Sequence, residues 1–284
     1  MMSNNFQYHI HKHSTGSTAI GLKASKIGWL RVILPPLPEQ QAIASFLDRE
    51  TARINRIIEK QTRLIELLKE KRSALITQAV TRGLDPNAKM KDSSVEWIGE
   101  IPEGWEVKKV KWLITSIKSG DGITREEIQE GGSYPVYGGN GIIGYSDKTN
   151  CAAPVLILGR VGALCGNVHH VEQDSFVTDN ALVMKIKTDI TREYLFHVLV
   201  SMNLNQYASQ NAQPLITGTL IKKMSIPIPP KDEQLTITEY IENETMKIDK
   251  LLNKIEKQID LLNEYKQSLI TAAVTGKIDV RDVQ

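Results

Sequence analysis

Very little in this sequence invites an extracellular reading. Among 284 residues there are two cysteines, Cys151 and Cys165, too few for a disulfide framework, so a reduced, cytoplasmic protein is expected. No apolar run approaches the ~18 residues that a membrane-spanning helix needs, and nothing has the pattern of a secretion signal. No membrane association is expected. An excess of one charge is also missing, the formal net charge being +2. Residues 97–226 carry 12 Lys and Arg against 13 Asp and Glu, so no domain-wide basic balance announces nucleic acid. Any such contact has to come from a local face.

Catalytic signatures are scarce as well. Gly159 to Asn167 is glycine-rich, and glycines let backbone N–H groups approach anions, but no Lys-Ser/Thr pair closes the stretch as a nucleotide loop requires. His169 and His170 stand near Asp174, Ser175 and Asp179, without the Gly-x-Ser-x-Gly elbow that would support a triad. Cys151 and Cys165 are fourteen apart and lack a Cys-x-x-Cys spacing, which argues against zinc. Glu106-Val107-Lys108 has a Glu-x-Lys spacing with no preceding acid evident on a strand. His9, His11 and His13 alternate and would share one strand face, without carboxylate or cysteine companions. The expectation is a protein with no catalytic residues, no metal and no cofactor.

What the sequence does contain is one helix written twice. Leu34-Pro35-Pro36-Leu37-Pro38-Glu39-Gln40 runs on to Leu75-Ile76-Thr77-Gln78-Ala79-Val80-Thr81. The pattern recurs, 194 residues later and without a gap, from Ile228-Pro229-Pro230-Lys231-Asp232-Glu233-Gln234 to Leu269-Ile270-Thr271-Ala272-Ala273-Val274-Thr275. Prolines fix an extended approach, and the acids suit the positive end of a helix dipole. Apolar residues then keep a seven-residue beat: Leu47, Ile54, Leu68 and Leu75, and Ile241, Ile248, Ile255, Leu262 and Leu269. Ile43, Ile57 and Leu64, with Ile237 and Leu251, are expected to fill in between. Such spacing predicts a coiled-coil seam, interrupted at Gln61, along a rod of roughly 60 Å. A rod cannot bury its own stripe, and its repeat is the obvious partner.

The rest of the chain divides around these helices. Residues 1–33 align with the segment just before the second helix and are expected to be the remnant of a first globular domain. The first helix is assigned to 34–85, a Gly-, Pro- and Asn-marked linker to 86–96, a second globular domain to 97–227, and the second helix with its tail to 228–284. In that domain Tyr134–Gly138 and Gly141–Tyr145 read as strands around a glycine turn. Val155–Leu158, Phe176–Val177 and Ala181–Ile186 read as further strands, and Glu193–Tyr207 as a helix. The fold class is α+β: a mixed or antiparallel sheet domain flanked by two long helices paired as an antiparallel coiled coil.

The duplicated Pro-Pro-x-x-Glu-Gln approach, the long helices with their Ala-Val-Thr endings, and Trp97-Ile98-Gly99-Glu100-Ile101-Pro102-Glu103-Gly104-Trp105 resemble the specificity subunits of type I restriction–modification systems. Tyr134 to Gly141 and Gly159-Arg160-Val161-Gly162 are similar to segments of their target recognition domains. The resemblance covers essentially the whole chain, with its first recognition domain reduced to a tail. It implies that 97–227 is a target recognition domain reading half of a split sequence in double-stranded DNA. It also implies that methyltransferase (modification) subunits dock on the helices and that a restriction/translocase subunit joins through the complex. With one whole recognition domain, pairing with a second copy as a homodimer is an expected way to read a symmetric site. Base reading needs polar side chains on exposed loops. The candidates are Lys118, Arg125, Tyr137, Asn140, Lys148 and Arg160, with Gln210, Asn211 and Gln213 on the late loop. Arg160 leads, because a guanidinium grips guanine bidentately and the glycines around it allow close approach. Lys222 and Lys223 are expected to meet phosphate. The alternatives are a docking module that binds methyltransferase without reading DNA, and an unrecognised nuclease using Glu106 or His169.

Overall fold

The computed structural model describes residues 34–209 and 214–280. Pro35 and Pro36 hold the chain extended up to Leu37, where helix α1 (Leu37–Arg82) begins. Pro38 falls in the first turn, where a missing N–H costs nothing. Strands β1 (Met90–Asp92), β2 (Glu100–Pro102), β3 (Glu106–Lys109), β4 (Ile114–Ser119), β5 (Tyr134–Gly138), β6 (Gly141–Ser146), β7 (Val155–Gly159), β8 (Val168–Val171), β9 (Phe176–Val177) and β10 (Ala181–Ile186) follow. Helix α2 (Arg192–Ser201), helix α3 (Gly218–Lys223), strand β11 (Ser225–Ile228) and helix α4 (Lys231–Val274) complete the order. Packing separates a helical unit, described over 34–69 and 247–280, from a sheet unit over 70–246.

In the helical unit α1 and α4 run antiparallel, because partners rise on one helix as they fall on the other. Lys266 Nζ donates to Asn55 Oδ1 at 3.0 Å and Gln61 Nε2 donates to Gln258 Oε1 at 3.2 Å. Phe46 clusters with Ala273 and Val280. Buried and half-buried positions alternate by four and three: Ile54, Ile58, Gln61, Ile65 and Leu68 on α1, and Ile248, Leu252, Ile255, Ile259 and Leu262 on α4. Three expected seam residues lie outside it, Ile57 at 38% exposure, Leu64 at 44% and Leu251 at 49%. Each has an apolar neighbour, Ile58, Ile65 or Leu252, and a helix turns about 100° per residue, so only one of each pair can face the seam. Gln61 does interrupt the seam, and meets Gln258 there.

The sequence repeat recurs as repeated bonding. Gln40 Nε2 donates to Pro35 O at 2.7 Å, and Gln234 Nε2 donates to Pro229 O at 3.0 Å. Thr81 Oγ1 donates to Thr77 O, and Thr275 Oγ1 to Thr271 O, both at 2.7 Å. The glutamine therefore ties the proline approach to the first helical turn, a role that the acids alone do not supply.

The sheet unit has three layers. Its central four-stranded antiparallel sheet has the order β4-β10-β7-β8. Strand β7 is buried throughout, and its alternation splits two cores. Leu156 and Leu158 face the large core made with Val80, Leu195, Val198, Leu199, Ile237 and Ile241. Val155 and Ile157 face a smaller core with Cys151, Val171, Val177 and Ala181. Strands β6-β5-β9 form the sheet beside that second core. Strand β11 pairs with β3, which places Pro227 in a two-stranded ladder rather than inside a sheet.

Trp105 is 1% exposed and its Nε1 donates to Glu233 Oε2 at 2.9 Å, while Trp97 Nε1 donates to Ser225 O at 3.1 Å. Both tryptophans thus fasten the start of this unit to its end. The Tyr194 hydroxyl lies 3.2 Å from both Val80 O and Pro227 O, and burial holds its phenol proton far above the ordinary range. The helix expected over Glu193–Tyr207 ends at Ser201: Asn203 turns left-handed at φ 46°, and one 3-10 turn, Leu204–Tyr207, follows.

Candidate nucleic-acid interface

One end of the central sheet gathers several of the expected residues. Ser119, Leu182, Leu158 and Val168 form a row across its four strands, which fixes that end. Beyond the row Arg160 leaves β7, and its N–H donates to Asn180 O at 2.9 Å. Its carbonyl accepts from Ile216 N at 2.8 Å, so both backbone groups are held. The Arg160 Nη1 donates to Asp179 O at 3.2 Å, the guanidinium's one hydrogen bond among the described residues, which leaves most of its fork for a ligand.

The β5–β6 turn packs directly on this loop. A Cβ on Gly159 would lie 2.1 Å from Gly139 O, so only glycine allows the turn to sit there. Asn140 on the turn accepts from Asn167 Nδ2 at 2.6 Å. Pro214 reaches the same end, its carbonyl accepting from Gly162 N at 3.1 Å. Lys118 is exposed near the end of β4 and borders a polar hollow of about 220 Å³ with Ser116, Asp121, Asn150 and Lys185. Lys118, Asn140 and Arg160 thus share one end of the unit.

The other candidates do not join them. Tyr137 is half-buried against the smaller core, its ring 6.2 Å from His169, and burial raises its phenol pKa. Lys148 is committed to an ion pair with Glu127 that holds the carboxyl below its usual range, and Arg125 sits exposed on the neighbouring 3-10 turn. Lys222 and Lys223 end α3, which packs against the 3-10 turn Val110–Trp112 at the start of β4, away from the Arg160 end. Gln210, Asn211 and Gln213 lie outside the described residues, as do His9, His11 and His13. Residues missed from the sequence are Asn167, Asn180, Asp121 and Asn150. Asn167 had a signal: Gly166-Asn167 repeats the Gly139-Asn140 pair it binds.

A metal site at His170 does not fit. Ligand atoms of His170, Glu172 and Glu193 lie within 4.8 Å of one another. Arg192 fills that space, its Nη2 donating to both glutamates at 3.0 Å and its Nε to His170 Nε2. A guanidinium already stands where a cation would.

His197 carries a pH prediction. Burial first, then the charges of His170 and Arg72, lower its pKa from 6.5 to about 4, with Glu193 opposing. Its Nδ1 has no hydrogen-bond partner among the described residues. The folded state therefore holds neutral imidazole, while the unfolded chain takes up a proton near pH 6.5. Stability should be full above that pH and fall by about 3 kcal/mol as pH drops toward 4. Urea midpoints of the wild type and His197→Phe at pH 7, 5 and 4 check this. The variant should lose clearly less stability on acidification, since the carboxylates are common to both.

No helix among the described residues is long and apolar enough to cross a membrane. A family profile described as the type I restriction modification DNA specificity domain matches residues 3–67 and 102–261. The chain is 34% identical over 152 residues to the specificity subunit of the type I restriction enzyme EcoprrI of Escherichia coli, covering 52% of this chain and 37% of that one. It is 25% identical over 283 residues to the MjaVIII specificity subunit of Methanocaldococcus jannaschii, covering 89% and 63%. The chain thus spans between about a third and two thirds of the length of these relatives. A chain from a structure of type I R-M complex assembly and conformational transition superposes with TM-score 0.77 at 14% identity, covering 97% of this chain and 69% of that one. The S subunit from M. genitalium gives TM-score 0.53 at 17% identity, covering 94% and 69%. These two likenesses show the fold.

Proposed function

This chain belongs to the family of type I restriction modification DNA specificity proteins, and on that premise we propose that it is a non-catalytic cytoplasmic subunit that reads duplex DNA. Residues 97–227 form its target recognition domain, and α1 and α4 are the arms on which methyltransferase subunits dock. A translocating restriction subunit joins through that complex. The docking reading is supported by a hollow of about 400 Å³ on the helical unit, bordered by Ile57, Gln61, Gln258, Leu261, Leu262 and Tyr265. Leu261 and Tyr265 are 63% and 57% exposed there, more apolar surface than a solvated coiled coil needs.

The observation that carries DNA reading is the convergence of Arg160 and Asn140 at one glycine-lined end of the sheet. Arginine reads guanine and asparagine reads adenine by paired hydrogen bonds, each worth about 1–3 kcal/mol of discrimination. Lys118 on the flank supplies a phosphate contact. Arg160→Ala should weaken binding to a preferred duplex about 10- to 100-fold while changing affinity for unrelated duplex little. Competition binding by the full chain with its methyltransferase checks this. An equal loss on both duplexes would make Arg160 a phosphate contact only.

A further inference from the structure

A second basic face lies at the opposite end of β4 from Arg160. Strand β3 and strand β11 pair with Lys109 opposite Ser225, and Val110 N donates to Met224 O at 2.8 Å. That pairing brings Lys109 and Lys111, on either side of Val110, alongside Lys222 and Lys223, just before Met224. Lys187 joins them, because its N–H donates to Leu113 O at 2.9 Å. All five lysines are exposed, and among the described residues none forms an ion pair. The acids nearest them in the chain are Glu106 and Asp189. Glu106 is already bound by Lys108 at 2.7 Å, which lowers its pKa. Trp112 stands in the same patch at 61% exposure, with the Lys111 ammonium 4.6 Å from its ring centroid.

Like charges carried on adjoining segments repel, so an anion that covers them relieves an unfavourable arrangement. The chemistry of the patch separates two kinds of anionic partner. Protein interfaces are depleted in lysine, whereas nucleic-acid interfaces are polar and strongly positive. Five exposed lysines on neighbouring segments, one of them stacked on an exposed tryptophan, match the second kind.

We propose that Lys109, Lys111, Lys187, Lys222 and Lys223 form a sequence-blind clamp on the phosphate backbone, separate from the reading end at Arg160. This rests on the DNA-reading function above and adds a second contact to it. Strand β4 is six residues long, so at about 3.3 Å per residue the clamp lies roughly 17 Å from the reading loops. That is about five base pairs along a duplex at about 3.4 Å per pair. The backbone would be held outside the bases that are read, adding affinity and no sequence preference.

The test uses the full chain and Lys109→Gln/Lys111→Gln/Lys223→Gln with a duplex of about 30 random base pairs. Affinity is measured across a salt series, alongside enrichment from a randomised duplex pool. Each lost phosphate contact should reduce the slope of log affinity against log salt by about 0.9, so the triple variant should lose about two to three while enriching the same motif. An unchanged slope with an unchanged motif overturns the clamp and leaves DNA reading intact. An unchanged slope with lost capture of methyltransferase also overturns it, and makes the patch a protein contact. If the wild-type chain neither binds duplex nor enriches a motif, the DNA-reading function itself fails, and the clamp with it.

Discussion

Replacing Trp105 by alanine is expected to destabilise the protein by about 3–5 kcal/mol. The indole is 1% exposed in the main core of the sheet unit, beside Ile101, Val110 and Ile228. Truncation removes a large apolar side chain from that core and leaves the Glu233 carboxylate without its Nε1–H donor. The site has little room to collapse, because Gly83, left-handed at φ +71°, already packs against both partners: a Cβ there would stand 3.2 Å from each. Trp105→Phe separates the two contributions. It keeps most of the apolar burial, loses the hydrogen bond and should cost about 1–3 kcal/mol. Urea unfolding followed by circular dichroism gives both values. A loss below about 1 kcal/mol for the alanine variant would mean that the tryptophan does not anchor this unit.

Gly159→Ala is the substitution expected to hurt function most for its size. The new methyl carbon would fall 2.1 Å from Gly139 O and 3.3 Å from Leu164 O, both backbone atoms. Strand β7 is held between β10 and β8, so the turn over Gly138–Gly141 is what must give. Moving it carries Asn140 away from Asn167 and out of line with Arg160. The expected result is a stability loss of about 1–3 kcal/mol with the fold retained. Affinity for the preferred duplex should fall about 100-fold, as two base contacts are lost together. Gly122→Ala is the control, since a Cβ there meets nothing within 4 Å, and it should bind as the wild type does. Full binding by Gly159→Ala would show that the turn and the Arg160 loop need not be held together.

Much of this architecture was legible because it rests on periodicity. The repeat at 194 residues marks both helices, and the short apolar runs Val155–Leu158 and Ala181–Ile186 mark strands that the structure contains. The seam was only half legible: a seven-residue beat fits Ile57 as well as Ile58, and the choice between adjacent apolar residues is made by the partner helix. Gln40 and Gln234 were visible as a repeated residue, while their bond back to a proline carbonyl depends on backbone path. The candidate interface was harder to read. Arg160 and Asn140 stood out through their glycines, but Asn167, Asn180 and Asp121 join the site through loop packing. The five-lysine patch spans two chain segments about a hundred residues apart plus Lys187, so no local run of charge revealed it. Lys148 illustrates the converse, a basic residue whose charge the fold had already paired with Glu127.

The end of the sheet unit around Arg160 is expected to read DNA sequence. The most direct measurement is the motif enriched from a randomised duplex pool by the full chain with its methyltransferase, for wild type and Arg160→Ala in parallel. The expected result is a defined run of base pairs for the wild type, with preference relaxed at one position of that run in the variant. The same motif and the same preference at every position in both proteins, or no motif from the wild type, would contradict it.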